Sequence, residues 1–181
     1  MKQPLLPRFF LMSLLCGASM LSSGCISGCT TLFKPYEKRA RAVLLPTAGN
    51  TARGTVAFVE RADGMQVSYS IQGLAANRLY GFQIHEYGNC SVRDARSAGD
   101  VFALVKRLGK STTDDPEGRM PDIRADANGV ATGFIVVSDL ALDGIRSVEN
   151  RSIVILRLNN EASTVARRSA PRLACGVIRP Q

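Results

Sequence analysis

The sequence predicts an all-β domain of antiparallel strands, arranged as a sandwich or barrel, and three observations carry that reading. Short runs of alternating or β-branched residues recur along the chain, turn-forming residues separate them, and no window holds an apolar helical stripe longer than two turns. Strands are expected at Ala42 to Leu45, Thr55 to Val59, Gln66 to Ile71, Arg78 to His85, Ala131 to Val137 and Ser152 to Leu158. The first two are rich in Val, Leu, Phe and Thr. The third alternates polar and apolar residues, and the fourth interleaves Leu79, Tyr80, Phe82 and Ile84 with smaller or polar neighbours. Phe134 to Val137 and Ile153 to Leu156 supply the apolar residues of the last two. Gly54, Ala62-Asp63-Gly64, Gly73, Gly88-Asn89 and Ala127-Asn128-Gly129 punctuate these runs, and Asp63-Gly64 and Asn128-Gly129 are hairpin signals because such residues tolerate positive φ. Two long polar stretches, Ser91 to Arg124 and Asn159 to Arg172, lack strand patterning; loops of that length in a compact domain usually carry function or its relics.

At 181 residues the chain suits one domain with a tail, and 45% hydrophobic against 21% charged residues excludes disorder for the bulk. The formal charge of +8 favours anionic surfaces or ligands without naming one. A single His rules out a His-rich metal site. Neither an aromatic-interleaved basic platform nor a recognition helix is visible, so no nucleic-acid partner is expected.

Lys2 and Arg8 precede an apolar run from Phe9 through Leu21, the length of a signal-peptide core and short for a membrane span. Ile26-Ser27-Gly28-Cys29 follows and resembles the bacterial lipobox, in which the Cys receives diacylglycerol and becomes the first residue. Residues 1–28 are therefore expected to be a lipoprotein-type signal, 29–39 a tether, and 40–181 the domain. The alternative is an ordinary signal cut near Ser23. Thr30 in place of Asp points to the outer membrane, facing the periplasm, and the expected partners are the membrane, through the lipid, and an envelope protein. Processing removes two of 23 basic residues and none of 15 acidic ones, leaving 21 − 15 = +6. It also removes Cys16 and Cys25, so Cys90 and Cys175 remain beside Cys29 in an oxidising compartment and are expected to form a disulfide.

Gly81-Phe82-Gln83-Ile84-His85-Glu86-Tyr87-Gly88-Asn89-Cys90 resembles the copper-binding signature of the copper/zinc superoxide dismutases, and Arg172-Leu173-Ala174-Cys175-Gly176-Val177-Ile178 resembles that family's carboxy-terminal signature. Ser97-Ala98-Gly99, Gly118 to Gly129 and Arg151 to Ile155 fall between them in family order. The resemblance implies an eight-stranded antiparallel Greek-key β-barrel with two long loops, pairs Cys90 with Cys175, and assigns Arg172 as the substrate-guiding Arg. A structural Arg holding its loop is an equal reading of Arg172.

The resemblance also places the metal positions, and there the chain departs from the family. The four copper positions fall on Gln83, His85, Val101 and Leu156; the zinc positions fall on Val101 again, Leu108, Pro116 and Arg119. Asn159-Asn160 stands where the family has acids that orient ligating His. Copper and zinc take about three or four N, S or carboxylate donors. From that count the sequence reading expects no cofactor and no catalytic residue: Val101 and Leu156 would fill the metal space, Gln83 would hydrogen-bond to His85 or a loop carbonyl, and His85 would be a satisfied structural imidazole. The expected function is a non-catalytic binding or structural envelope lipoprotein. The alternative is a copper-dependent superoxide dismutase with a degenerate or intersubunit site. Lys106-Arg107-Lys110 and Arg167-Arg168 read as solvated loop faces or an anion-attracting rim.

Overall fold

The computed structural model describes residues 37–104, 116–158 and 169–181. Residues 1–36, among them Cys29, lie outside the described residues, as do Lys106, Arg107, Leu108, Lys110, Asn159, Asn160, Arg167 and Arg168. Pro35–Gln181 forms one compact unit.

Eight strands build it: β1 (Arg39–Pro46), β2 (Arg53–Arg61), β3 (Gly64–Gln72), β4 (Leu79–His85), β5 (Ile123–Arg124), β6 (Ala131–Val137), β7 (Ser152–Arg157) and β8 (Arg172–Pro180). Their lateral order is β5-β4-β7-β8-β1-β2-β3-β6, every pairing is antiparallel, and the order gives a nearly closed Greek-key barrel. The two edge strands, β5 and β6, follow one another through the turn at Asp126, whose carboxylate accepts the backbone N–H groups of Asn128 and Val130. The hairpin at Ala62-Asp63 closes β2 onto β3, with Arg61 opposite Gly64.

Four of the six expected runs fall wholly within a strand, while Arg78 to His85 begins one residue before β4 and Ser152 to Leu158 ends one residue past β7. Two strands were not expected from periodicity, for separate reasons. β5 has only two residues, too few to show a period. β8 is buried continuously from Leu173 through Gly176 and ends on Pro180, so its pattern does not alternate.

The pleat divides each strand into an inner and an outer row. Ala40, Ala42, Leu44, Val56, Phe58, Val67, Phe82, Ile84, Ile153, Ile155 and Ile178 are among the buried side chains that fill the barrel. The outer rows of β4 and β7 are buried as well: Gly81, Gln83 and His85 on one strand, Ser152, Val154 and Leu156 on the other. Loop segments account for this. Phe102 donates its N–H to the Ile84 carbonyl, Ile84 donates to Gly118, and Gly118 donates back to Phe102, all between 2.8 and 2.9 Å. The Cys90–Cys175 disulfide, with Cα atoms 5.8 Å apart, ties the chain after β4 to β8. One patch of outer barrel surface is thereby converted into a second interior.

Candidate functional site

Within that second interior, β4 and β7 set Gln83 opposite Val154 and Gly81 opposite Leu156, and Val101 forms an isolated backbone bridge to His85. Gln83 is 1% exposed and His85 2%. Leu156 is buried among Ala95, Ala98, Val154 and Cys175, while Val101 is only half-buried. The structure therefore brings the four copper positions of the resemblance to one place. Arg119 bridges to Gln83 through its backbone and Pro116 lies three residues before it.

Gly99 organises the polar groups. Its backbone stands at φ 77° and ψ −155°, a region that glycine alone enters readily, and a Cβ there would come within 2.6 Å of the Tyr87 ring. The Gly99 carbonyl accepts two hydrogen bonds, from His85 Nδ1 at 2.9 Å and from Arg172 Nη2 at 2.8 Å. Arg172 Nη1 donates to the Ala95 carbonyl at 2.5 Å. A carbonyl only accepts, so His85 Nδ1 carries the proton, and the neutral ring keeps its lone pair on Nε2. That Nε2 is buried without a hydrogen-bond partner among the described residues, and so is the side-chain nitrogen of Gln83.

Burial pushes the His85 imidazole down to about 4; the Gly99 carbonyl and Asp100 oppose the shift, and the Arg172 guanidinium reinforces it. His85 is thus neutral at pH 7. Burial also lowers Arg172, with Asp94 and Asp100 holding it up. Arg172 opens on a groove of about 500 Å³ shared with Asp94, Arg96, Asp100 and Ser169.

Two sequence expectations change here. Among the described residues, Gln83 does not hydrogen-bond to His85 or to a loop carbonyl, and His85 is satisfied on one nitrogen only. Unpaired buried polar groups cost about 1–3 kcal/mol each, so two of them side by side mark a place for something not made of protein. An imidazole lone pair and an amide oxygen, which a turn of the Gln83 amide presents, are donors a copper ion accepts. They number two where such ions take about three or four, so copper fits in part. Zinc does not fit: Val101, Pro116 and Arg119 offer it no donor, and no cluster of three or more His, Cys, Asp or Glu exists among the described residues.

Sequence reasoning missed the Gly99 carbonyl, which no side-chain pattern announces. It also passed over Arg151, which donates from Nε to Ser147 and from Nη1 to Glu86 carbonyls and stacks 3.6 Å from the Phe102 ring centre. That Arg lies in one of the segments quoted for the resemblance, and its role is to hold the covering loops.

The profile of the copper/zinc superoxide dismutase family (SODC) matches residues 52–178. Among curated proteins, one named Superoxide dismutase [Cu-Zn] from Saccharomyces cerevisiae is 36% identical over 151 residues, covering 77% of this chain and 96% of that protein. Proteins of the same name from Candida glabrata and Talaromyces marneffei are 34% and 33% identical over 149 and 150 residues, covering 77% and 76% of this chain and 96% of each. These relatives overturn the expectation of a non-catalytic scaffold, and the copper-dependent alternative accords better with them. The physical reason for the error is that counting ligand types ignored their state. Gln83 and His85 are not absorbed into a packed, satisfied core, as that expectation required, but keep polar atoms open beside an anchored Arg172.

The tautomer has a consequence for stability. The unfolded imidazole takes a proton near pH 6.5 and the folded one only near 4, so between these values the unfolded state binds more protons and folding weakens as pH falls. In metal-free protein, denaturant titrations at pH 7 and pH 4.5 should differ by about 2 kcal/mol more for the wild type than for His85→Gln. Equal pH dependence in the two proteins would contradict the buried neutral ring.

Proposed function

The chain belongs to the copper/zinc superoxide dismutase family, and on that premise we propose that it is a copper-dependent superoxide dismutase whose metal donors are reduced to those on β4. The observation that carries the reading is the shared Gly99 carbonyl, which orients a bare His85 Nε2 and an anchored guanidinium together. His85 Nε2 and the Gln83 amide oxygen would hold the ion. When bound, copper supplies the one-electron cycling that side chains lack. The protein's own groups do the remaining work. Arg172, fixed by two carbonyls, presents its positive charge to the groove and draws in a small anion, and the excess of basic residues over the whole chain adds to that attraction. Burial keeps His85 neutral and its lone pair available across the physiological range. Leu156 and Val154 exclude water from the side of the site facing β7. With two donors rather than a full shell, copper retention and turnover are both lower than a complete site gives.

The direct test is superoxide consumption by copper-loaded and metal-stripped protein, in the presence of a chelator that silences free copper. Copper-dependent activity is expected, lost in His85→Ala and lowered about tenfold or more in Arg172→Ala together with its ionic-strength dependence. Loaded protein no faster than the chelated-copper control, or His85→Ala as active as wild type, would defeat the reading.

The amino-terminal pattern supports an exported, envelope-located protein, lipid-anchored at Cys29 through Ile26-Ser27-Gly28-Cys29. Mass spectrometry of the membrane fraction should find diacylglycerol on Cys29; an unmodified terminus at another residue would refute the anchor.

A further inference from the structure

The inner rows of β4 and β7 end in charge. On β7 the row runs Ile153, Ile155, Arg157; on β4, read in the opposite sense, it passes from Ile84 through Phe82 to Tyr80, which stands opposite Arg157. Arg78 lies two residues further on, and the ladder still reaches it, because Ala125 donates its N–H to the Arg78 carbonyl. Both arginines therefore leave the row at one mouth of the barrel, where they line a common groove of about 510 Å³, a size that small ligands occupy. Diagonal neighbours across two strands have Cβ atoms about 7 Å apart, within reach of long side chains. Two guanidinium groups held there repel one another unless an anion lies between them. The described residues provide none: no carboxylate lines the groove, Arg157 Nη2 donates to the neutral Asn50 amide oxygen at 3.3 Å, and the Arg78 side chain has no partner among them.

The walls of this groove are fixed in advance. Asn50 is itself anchored, donating from Nδ2 to Thr47 Oγ1 and to the Ala48 carbonyl. The Thr51 hydroxyl donates to the Gly73 carbonyl at 2.8 Å, and Gly73 stands at φ 77° with no room for a Cβ against the Thr51 carbonyl. The Tyr80 hydroxyl accepts from the Ala75 N–H at 2.7 Å and donates to the Ala75 carbonyl at 3.1 Å. These hydroxyl and amide groups are thus engaged by the fold, and the guanidinium N–H groups are what the groove offers a ligand, over apolar surface from Leu74, Ala75 and Leu173.

From this arrangement we propose that the groove binds a phosphomonoester of a small organic molecule, with the phosphate between Arg78 and Arg157 and the organic part against Leu74, Ala75 and Leu173. Two positive charges leave the barrel at one mouth, so the complementary group carries two negative charges on one centre. A phosphomonoester does so near neutral pH, and guanidinium forks pair with its oxygens bidentately. A carboxylate carries a single charge. This groove shares no residue with the one on which Arg172 opens, and the inference does not rest on the dismutase reading.

The test uses the purified full-length protein, stripped of metal, with phenyl phosphate as the probe. Calorimetry should show one saturable site per chain whose affinity falls as ionic strength rises. Inorganic phosphate, which lacks the organic part, and phthalate, which divides its charge between two carboxylates, should each bind several-fold more weakly. Arg78→Gln and Arg157→Gln should each weaken phenyl phosphate about tenfold, whereas Arg172→Gln should leave its binding unchanged. In the wild type the Leu74 and Ala75 amide NMR signals should move with saturation, a readout that requires no variant. No saturable binding, inorganic phosphate or phthalate binding as tightly as the ester, or loss in Arg172→Gln with the shifts confined to Arg96 and Gly99, would overturn the proposal.

Discussion

A single backbone carbonyl, that of Gly99, governs how the buried side of this barrel is organised. It accepts from His85 and from Arg172, residues that sit on different strands and lie far apart in sequence. Because it can only accept, it fixes which imidazole nitrogen is protonated; because it accepts twice, it couples the position of the guanidinium to that of the ring. The carbonyl in turn depends on a backbone conformation that a side chain would strain, and on a neighbour, Tyr87, whose ring leaves no room for one. Tautomer, anion attraction and loop conformation are therefore one constraint.

The barrel makes that constraint possible by spending one pleat twice. The inner rows of β4 and β7 fill an ordinary apolar core, whereas their outer rows, which would face water, are roofed by loops. The roof is held by the Cys90–Cys175 bond, by the ring of backbone hydrogen bonds through Ile84, Phe102 and Gly118, and by Arg151 against Phe102. Such a chamber desolvates whatever it holds. The same desolvation that depresses the His85 pKa keeps a nitrogen lone pair exposed to the chamber, and it makes the lack of further donors at Val101 and Leu156 consequential.

Most of the fold was legible from residues alone, because strands such as Gln66 to Ile71 alternate plainly and Asp63-Gly64 and Asn128-Gly129 mark their turns. β8 was not, because a strand covered on both faces has no alternation to read, and β5 was too short to register. Of the candidate positions read from the sequence, Gln83 and His85 share the outer row of β4, Val101 bridges to His85, Leu156 lies opposite Gly81 on β7, and Arg172 shares the Gly99 carbonyl with His85. What could not be read was the state of those groups. Whether a Gln amide is satisfied, or which nitrogen of a His is bare, depends on where loop carbonyls come to lie, and counting residue types led to a non-catalytic reading that the family's curated members contradict.

Since the chain contains one His, its imidazole nitrogens can be observed without ambiguity, and nitrogen-15 NMR of the metal-free protein reads the central constraint most directly. The account predicts a neutral ring protonated on Nδ1 at pH 7, with the Nε2 resonance alone displaced by one equivalent of copper(I). A ring protonated on Nε2, one averaging between tautomers, or an Nε2 signal indifferent to copper would contradict it.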